Sequence, residues 1–323
     1  MGIGKQRLAL WLGQRLLCTG AEPRPCGSCQ HCRYALAGTH PDIHWYFPRP
    51  RLKDPDPSPD DVEDDFREAV SERTKTGVYR PPPPEDAILI ATIRAMAHSA
   101  SLLPALGARK VYVLGDADRL VVRDDAEYAA GAFLKLLEEP PPRATIVLTS
   151  SEPGALIPTI RSRVVAVRVP PLSIEAVDGV LAEPAMRDAL RDAGAPTRIE
   201  EQRRLAAGAP GALLAGREWT EALARARSML DAAAAGDRRE QMRAALAQGG
   251  ARARGAFSTS LDALTTLLHE RARAAAERGN GEGARRAAGA IDAIEEAKEL
   301  ASGNVNPQLI TSELLRRLEA VLR

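Results

Sequence analysis

The chain has 323 residues, 45% of them hydrophobic and 27% charged, with a formal net charge of +1. That length predicts two or three domains of ordinary globular composition, and near-neutrality argues against a broad basic field for binding DNA unaided. No run of about 18 apolar residues occurs, so no membrane span is predicted, and without an evident signal-peptide cleavage site a cytoplasmic location is expected.

Residues 5–17 read as a helix with Leu8, Leu12, Leu16 and Leu17 on one face. The four cysteines follow, all between residues 18 and 32. Residues 48–86 contain DPDPSPDDVEDDF and then Pro81, Pro82, Pro83 and Pro84. Acids and prolines at this density predict a polar insertion, a mobile surface excursion that builds no core. A helix is expected over 86–101, and KVYVL, 110–114, suits a buried parallel strand. A helix over 126–138 ends at Pro140, Pro141 and Pro142; ATIVLTS, 144–150, and RVVAVRV, 163–169, read as two further strands. Strands alternating with helices imply an α/β layer around a parallel sheet. After Pro171 the strands stop. Residues 172–216 read as a small helical domain and 217–323 as several amphipathic helices. One carries Leu261, Leu264, Leu267 and Leu268; the last carries Ile310, Leu314, Leu318 and Val321, with Asn306 as N-cap and Pro307 in the first helical position.

The cysteine spacing is Cys18-x7-Cys26-x2-Cys29-x2-Cys32. In a reducing compartment such a cluster points to a metal rather than to disulfides. Four thiolates close a tetrahedral zinc shell and leave no open position for chemistry, so a structural zinc ion is expected. His31 and His40 are then superfluous as ligands. A redox pair and four unligated thiols are the competing readings.

Met1-Gly2-Ile3-Gly4-Lys5 resembles the end of a phosphate-binding loop. A working loop needs a preceding strand, glycine N–H groups around the phosphate, a lysine, and a Ser or Thr hydroxyl for magnesium. Gly4 and Lys5 are present, the hydroxyl position holds Gln6, and no strand precedes the loop. The paired Glu138 and Glu139 have no histidine or nucleophile beside them and read as a helix end rather than as an acid and base. His98 reads as structural.

LLC…CGSCQHCRYALAGTHPDIHW resembles the zinc module of the bacterial clamp-loader subunits, the delta-prime and tau/gamma group of AAA+ proteins. FLKLLEEPP at 133–141 is similar to their LLKTLEEPP segment. LTSSEPGALIPTIRSRV at 148–164 is similar to their sensor 1 strand and Ser-Arg-Cys motif, and NVNPQLITSELL at 304–315 to the end of their collar. The resemblance covers most of the chain apart from 48–86. It implies an AAA+ α/β domain over 1–170 with a zinc module at 18–32, a helical lid over 171–216, and a helical collar over 217–323 that joins five subunits. It also implies a share in opening the ring-shaped sliding clamp (beta) and placing it on primed DNA, in company with tau/gamma and delta subunits.

In the motor members of the family the strand matching VYVLGDADRL ends in an Asp-Glu pair, which holds magnesium and orients water. Gly115 and Asp116 stand there in this chain, and Ala212, in GAPGALL, stands where a sensor 2 arginine would fall. Loop hydroxyl, magnesium carboxylate and sensor 2 are all missing. That is the pattern of the delta-prime branch, so ATP binding by this chain is not expected. The chain alone is then no enzyme, although it would belong to a DNA-directed DNA polymerase assembly. Thr149 keeps the sensor 1 position and reads as structural. A tau/gamma-type ATPase motor is the alternative, and an unrelated zinc-dependent nucleic-acid-binding module a third class. Arg163 matches the arginine of the Ser-Arg-Cys motif, which reaches into a neighbour's ATP site and supplies charge in trans. Its competing role is pairing with a local carboxylate. Val164 replaces the family's cysteine, and Arg161 is a candidate secondary contact. Family members carry a strand before the glycine loop, so an upstream start of translation is expected, because loss of a central strand exposes sheet edges.

Overall fold

A computed structural model describes residues 2–83, 86–120, 126–151, 153–249, 254–302 and 305–322. Pro84, Glu152 and Asn304, which fall in segments singled out above, lie outside the described residues. The chain divides into one unit of residues 4–170 and another of residues 171–323 together with the N-terminal residues through Ile3.

The first unit runs α1 (Lys5–Leu17), α2 (Gln30–Ala37), β1 (Ile43–Tyr46), α3 (Pro59–Thr76), α4 (Ile90–Ser101), β2 (Lys110–Leu114), α5 (Ala126–Glu138), β3 (Ala144–Leu148) and α6 (Pro158–Arg161). The strands form one parallel sheet in the order β1-β2-β3. Val111, Tyr112, Val113 and Leu114 of the central strand are fully buried, as expected of a strand covered on both faces. Two of the three expected strands therefore hold. The third, 163–169, does not: the segment joins no ladder among the described residues, and Val165 and Val167 are 93% and 80% exposed. β-branched residues favour a strand only where neighbours pack against them, and Val165 and Val167 have no such covering. β1 itself was hidden by its shortness, four residues between a His-Pro-Asp turn and a proline.

The acidic segment is also not a surface excursion. Ser58 caps α3 in a reciprocal capping box with Asp61. Val62, Phe66, Ala69 and Val70 bury one face of α3 in the core beside Tyr46 and Phe47. Polar residues of the same helix tie it to the sheet. Glu63 accepts the Tyr46 hydroxyl and faces His44, Asp65 pairs with Arg49 at 2.6 Å, and the Arg73 guanidinium stacks 3.6 Å over Phe47. Its exposed acids dominate the composition, whereas the apolar positions at 62, 66, 69 and 70 hold the helical period. In α1, too, the buried face is Ala9, Gly13, Gln14 and Leu17, while Leu8 and Leu16 are exposed. Of the expected leucine face, Leu17 is buried and Leu12 half-buried, whereas Leu8 and Leu16 are not part of it.

The second unit is helical throughout its described residues: α7 (Ile174–Ala182), α8 (Pro184–Asp192), α9 (Ile199–Ala206), a 3-10 turn at Pro210–Ala215, α10 (Arg217–Ala235), α11 (Arg238–Leu246), α12 (Arg254–Glu277), α13 (Gly281–Ser302) and α14 (Pro307–Leu322). Leu261, Leu264 and Leu268 of α12, Ile294 of α13, and Ile310, Leu314 and Leu318 of α14 are all buried. The Asn306 side chain accepts the Gln308 N–H at 2.9 Å and so caps α14. No described helix is long and apolar enough to cross a membrane.

Candidate functional site

The loop after α1 and the start of α2 bring Cys18, Cys26, Cys29 and Cys32 together, with all four sulfurs within 4.8 Å of one another. Cys18 Sγ lies 3.9 Å from Cys29 Sγ, and Cys26 Sγ 4.0 Å from Cys32 Sγ. A zinc–sulfur bond of about 2.3 Å sets tetrahedral ligand separations near ~3.8 Å, so the donor set fits one metal ion. The loop must be tight to do this: a Cβ at Gly20 would fall 2.4 Å from Cys26 Sγ. Backbone N–H groups point at the sulfurs. Gly20 and Cys26 donate to Cys18 Sγ at 3.4 and 3.3 Å, Cys29 to Cys26 Sγ at 3.4 Å, and Cys32 to Cys29 Sγ at 3.5 Å. The Cys29 N–H lowers the Cys26 thiol to about 7, and the Cys32 N–H lowers Cys29 to about 5. Burial pushes Cys32 up to about 12. A cation held by the four sulfurs would supply the charge that favours the thiolate form of the buried Cys32.

His31 and His40 do not face this cluster. His40 Nδ1 accepts the Asp42 N–H at 3.0 Å, which leaves the proton on Nε2 to meet His31 Nδ1 at 2.9 Å. Asp42 is fully buried, and its carboxylate accepts the N–H groups of Ala105, Leu106 and Gly107 at 2.6, 2.8 and 2.5 Å. Sequence reading missed this residue. The His-Pro-Asp turn after a helix was the available signal.

Gly4, Lys5 and Gln6 lie at the carboxyl ends of β1 and β2, where ligands of open α/β sheets bind. Gly4 adopts a left-handed conformation, φ 87°, and its carbonyl accepts the Leu8 N–H. Lys5 Nζ reaches Ser151 Oγ at 3.1 Å. Gln6 Nε2 donates to Asp116 Oδ2 at 2.9 Å, and Gln6 Oε1 accepts the Trp45 indole N–H at 3.0 Å. Burial raises the Asp116 carboxyl, with Asp118 adding to it, while Arg119, Lys5 and Arg73 oppose. The Thr149 hydroxyl accepts the Asp116 N–H at 3.2 Å, a bond between strand ends that needs no nucleotide. Ala212 is buried in the 3-10 turn of the other unit.

Arg163 follows α6. Its guanidinium pairs with Glu138 at the end of α5, with Nε 2.6 Å from Oε1, and donates to the Thr159 carbonyl at 2.9 Å. The pair is partly exposed. Arg161, Glu139 and His98 point to solvent.

A family model described as DNA polymerase III, delta subunit, matches residues 1–173. The DNA polymerase III subunit delta' of Pseudomonas aeruginosa is 33% identical over 165 residues, 51% of this chain and 39% of that protein. The subunit delta' of Escherichia coli is 31% identical over 224 residues, 68% of this chain and 53% of that protein. The subunit tau of Escherichia coli is 28% identical over 177 residues, 54% of this chain and 21% of that protein. The chain thus spans about half, or less, of the length of these relatives.

Proposed function

The chain belongs to the delta-prime subunit family of the DNA polymerase III clamp loader, and we propose that it is a non-hydrolysing member of that assembly. The observation that carries this reading is the Gln6–Asp116 contact. The loop position that would carry the magnesium hydroxyl holds Gln6, whose amide donates to Asp116 at the water-orienting position, while the magnesium carboxylate position holds Gly115. Residues 1–170 form the AAA+ α/β domain, 171–216 the lid, and 217–323 the collar that joins it to tau/gamma and delta subunits. With them it acts on the sliding clamp (beta) and primed DNA in the cytoplasm. The four cysteines hold a structural zinc ion, whose saturated thiolate shell leaves it no part in catalysis. The side chains of Cys18, Cys26, Cys29 and Cys32 fit that role by number, softness and separation.

Arg163 is the residue through which this chain takes part in ATP chemistry in this reading. In the isolated chain its charge is parked on Glu138. A partly exposed pair of this kind is worth about 0–1 kcal/mol, so exchanging Glu138 for a phosphate of a neighbouring subunit costs little. The test is Arg163→Ala in an assembly reconstituted with tau/gamma, delta, clamp and primed DNA. Clamp-dependent ATP turnover should fall by about 10³-fold at the neighbouring site, while the melting temperature of the free chain is unchanged. Full turnover by the variant assembly would remove the trans role. Hydrolysis by the lone chain would instead favour the motor reading to which the tau match points.

A further inference from the structure

The amide of Gln6 lies directly over Gly115. A Cβ added at Gly115 would meet Gln6 Cδ and Oε1 at 2.5 Å and Nε2 at 2.7 Å. The same amide is held from two sides, by the Asp116 carboxylate at 2.9 Å and by the Trp45 indole at 3.0 Å. Phosphate-loop enzymes hold magnesium between a loop hydroxyl and a carboxylate at the end of the neighbouring strand. Such an ion needs oxygen ligands converging at about 2.0–2.1 Å and room for the waters it retains. In this chain the loop residue contributes an NH2 group, a donor, towards the carboxylate, and its bulk fills the space that the missing Gly115 side chain leaves. Both of its polar ends are satisfied, so nothing there calls for a cation.

We propose that Gln6 is the residue that closes this site to divalent metal, its amide standing between α1 and the end of β2 where an ion would otherwise sit. The inference rests on the non-hydrolysing reading and supplies its physical cause. Gln6 and Gly115 form an interlocked pair. An aspartate at 115 alone collides with the amide, and a small hydroxyl at 6 alone leaves one carboxylate facing a void. Nucleotide function is therefore not recovered by either change singly.

Mn2+ uptake in the presence of ATP, followed by the paramagnetic resonance of the free ion, reads the site directly in the zinc-loaded full chain. The wild-type chain should take up no ion there. Gln6→Thr combined with Gly115→Asp should gain affinity by roughly tenfold or more. Gln6→Glu covers the case in which the double variant does not fold. It keeps the shape of the amide but sets a second carboxylate beside Asp116, so the variant should melt below wild type and recover its melting temperature when Mn2+ is added. A folded double variant with no gain in Mn2+ affinity overturns the proposal. So does a Gln6→Glu chain indifferent to Mn2+. Wild-type uptake of Mn2+ without ATP turnover sinks this inference alone, whereas turnover by the lone wild-type chain sinks the non-hydrolysing reading as well.

Discussion

The carboxylate of Asp42 has no solvent exposure and accepts three backbone N–H groups from the loop between α4 and β2. Burial works to raise it, yet those three donors and the nearby His40 hold it below the usual carboxylate range. A group whose folded pKa is depressed stabilises the fold above its unfolded pKa of about 3.9, and that contribution is lost as pH falls through the folded value. Asp42→Asn should therefore cost about 3 kcal/mol at neutral pH and flatten the acid limb of the stability profile. Urea midpoints at several pH values between neutrality and pH ~3 measure this, and a variant with the wild-type acid limb would show that the carboxylate is not the group responsible. At this scale the sequence was half legible. The four cysteines announced themselves by spacing and type. Asp42 and the Gln6 amide did not, because their importance comes from burial and from partners 39 to 110 positions away along the chain.

Among elements, the cysteine loop and α3 make the sharpest predictions. The loop between Cys18 and Cys32 has few apolar residues to hold it, so a metal bound by the four sulfurs would supply most of its order. Chelation, or Cys29→Ser, should expose amides of residues 18–32 to hydrogen exchange and lower the melting temperature, with β2 amides remaining protected to higher free energies. Slow exchange in the chelated chain would mean that the loop folds without metal. For α3, Phe66→Ala should cost about 3–5 kcal/mol and Ser58→Ala about 1 kcal/mol, measured by denaturant unfolding. A cost near zero at Phe66 would restore the reading of 48–86 as a surface excursion. The composition of that segment concealed its helix because twenty acids and prolines outweigh four core residues in any average, although the core residues alone carry the helical period. The reverse happened at 163–169. There an apolar, β-branched run satisfies every local rule for a strand, and the sheet takes its third member from Ile43–Tyr46 instead. Pairing is a property of the neighbours, which no local pattern contains.

At the scale of the whole molecule, the family assignment rests on residues 1–173, and the helical second unit is described by its own packing. Its long helices α10, α12, α13 and α14 share a core of leucines, isoleucines and alanines, legible from the sequence because amphipathic helices bury one stripe whatever they join. Which other chain that unit meets depends on the outward faces, where the pattern is unspecific. In the proposed function, this chain contributes position and an arginine to an ATPase without being one. ATP hydrolysis by the purified chain, measured alone and then after capture by tau/gamma and delta, tests that most directly. The expected result is no turnover above background from the lone chain and a stable, clamp-stimulated complex once the other subunits are added; turnover by the lone chain would contradict the non-hydrolysing role.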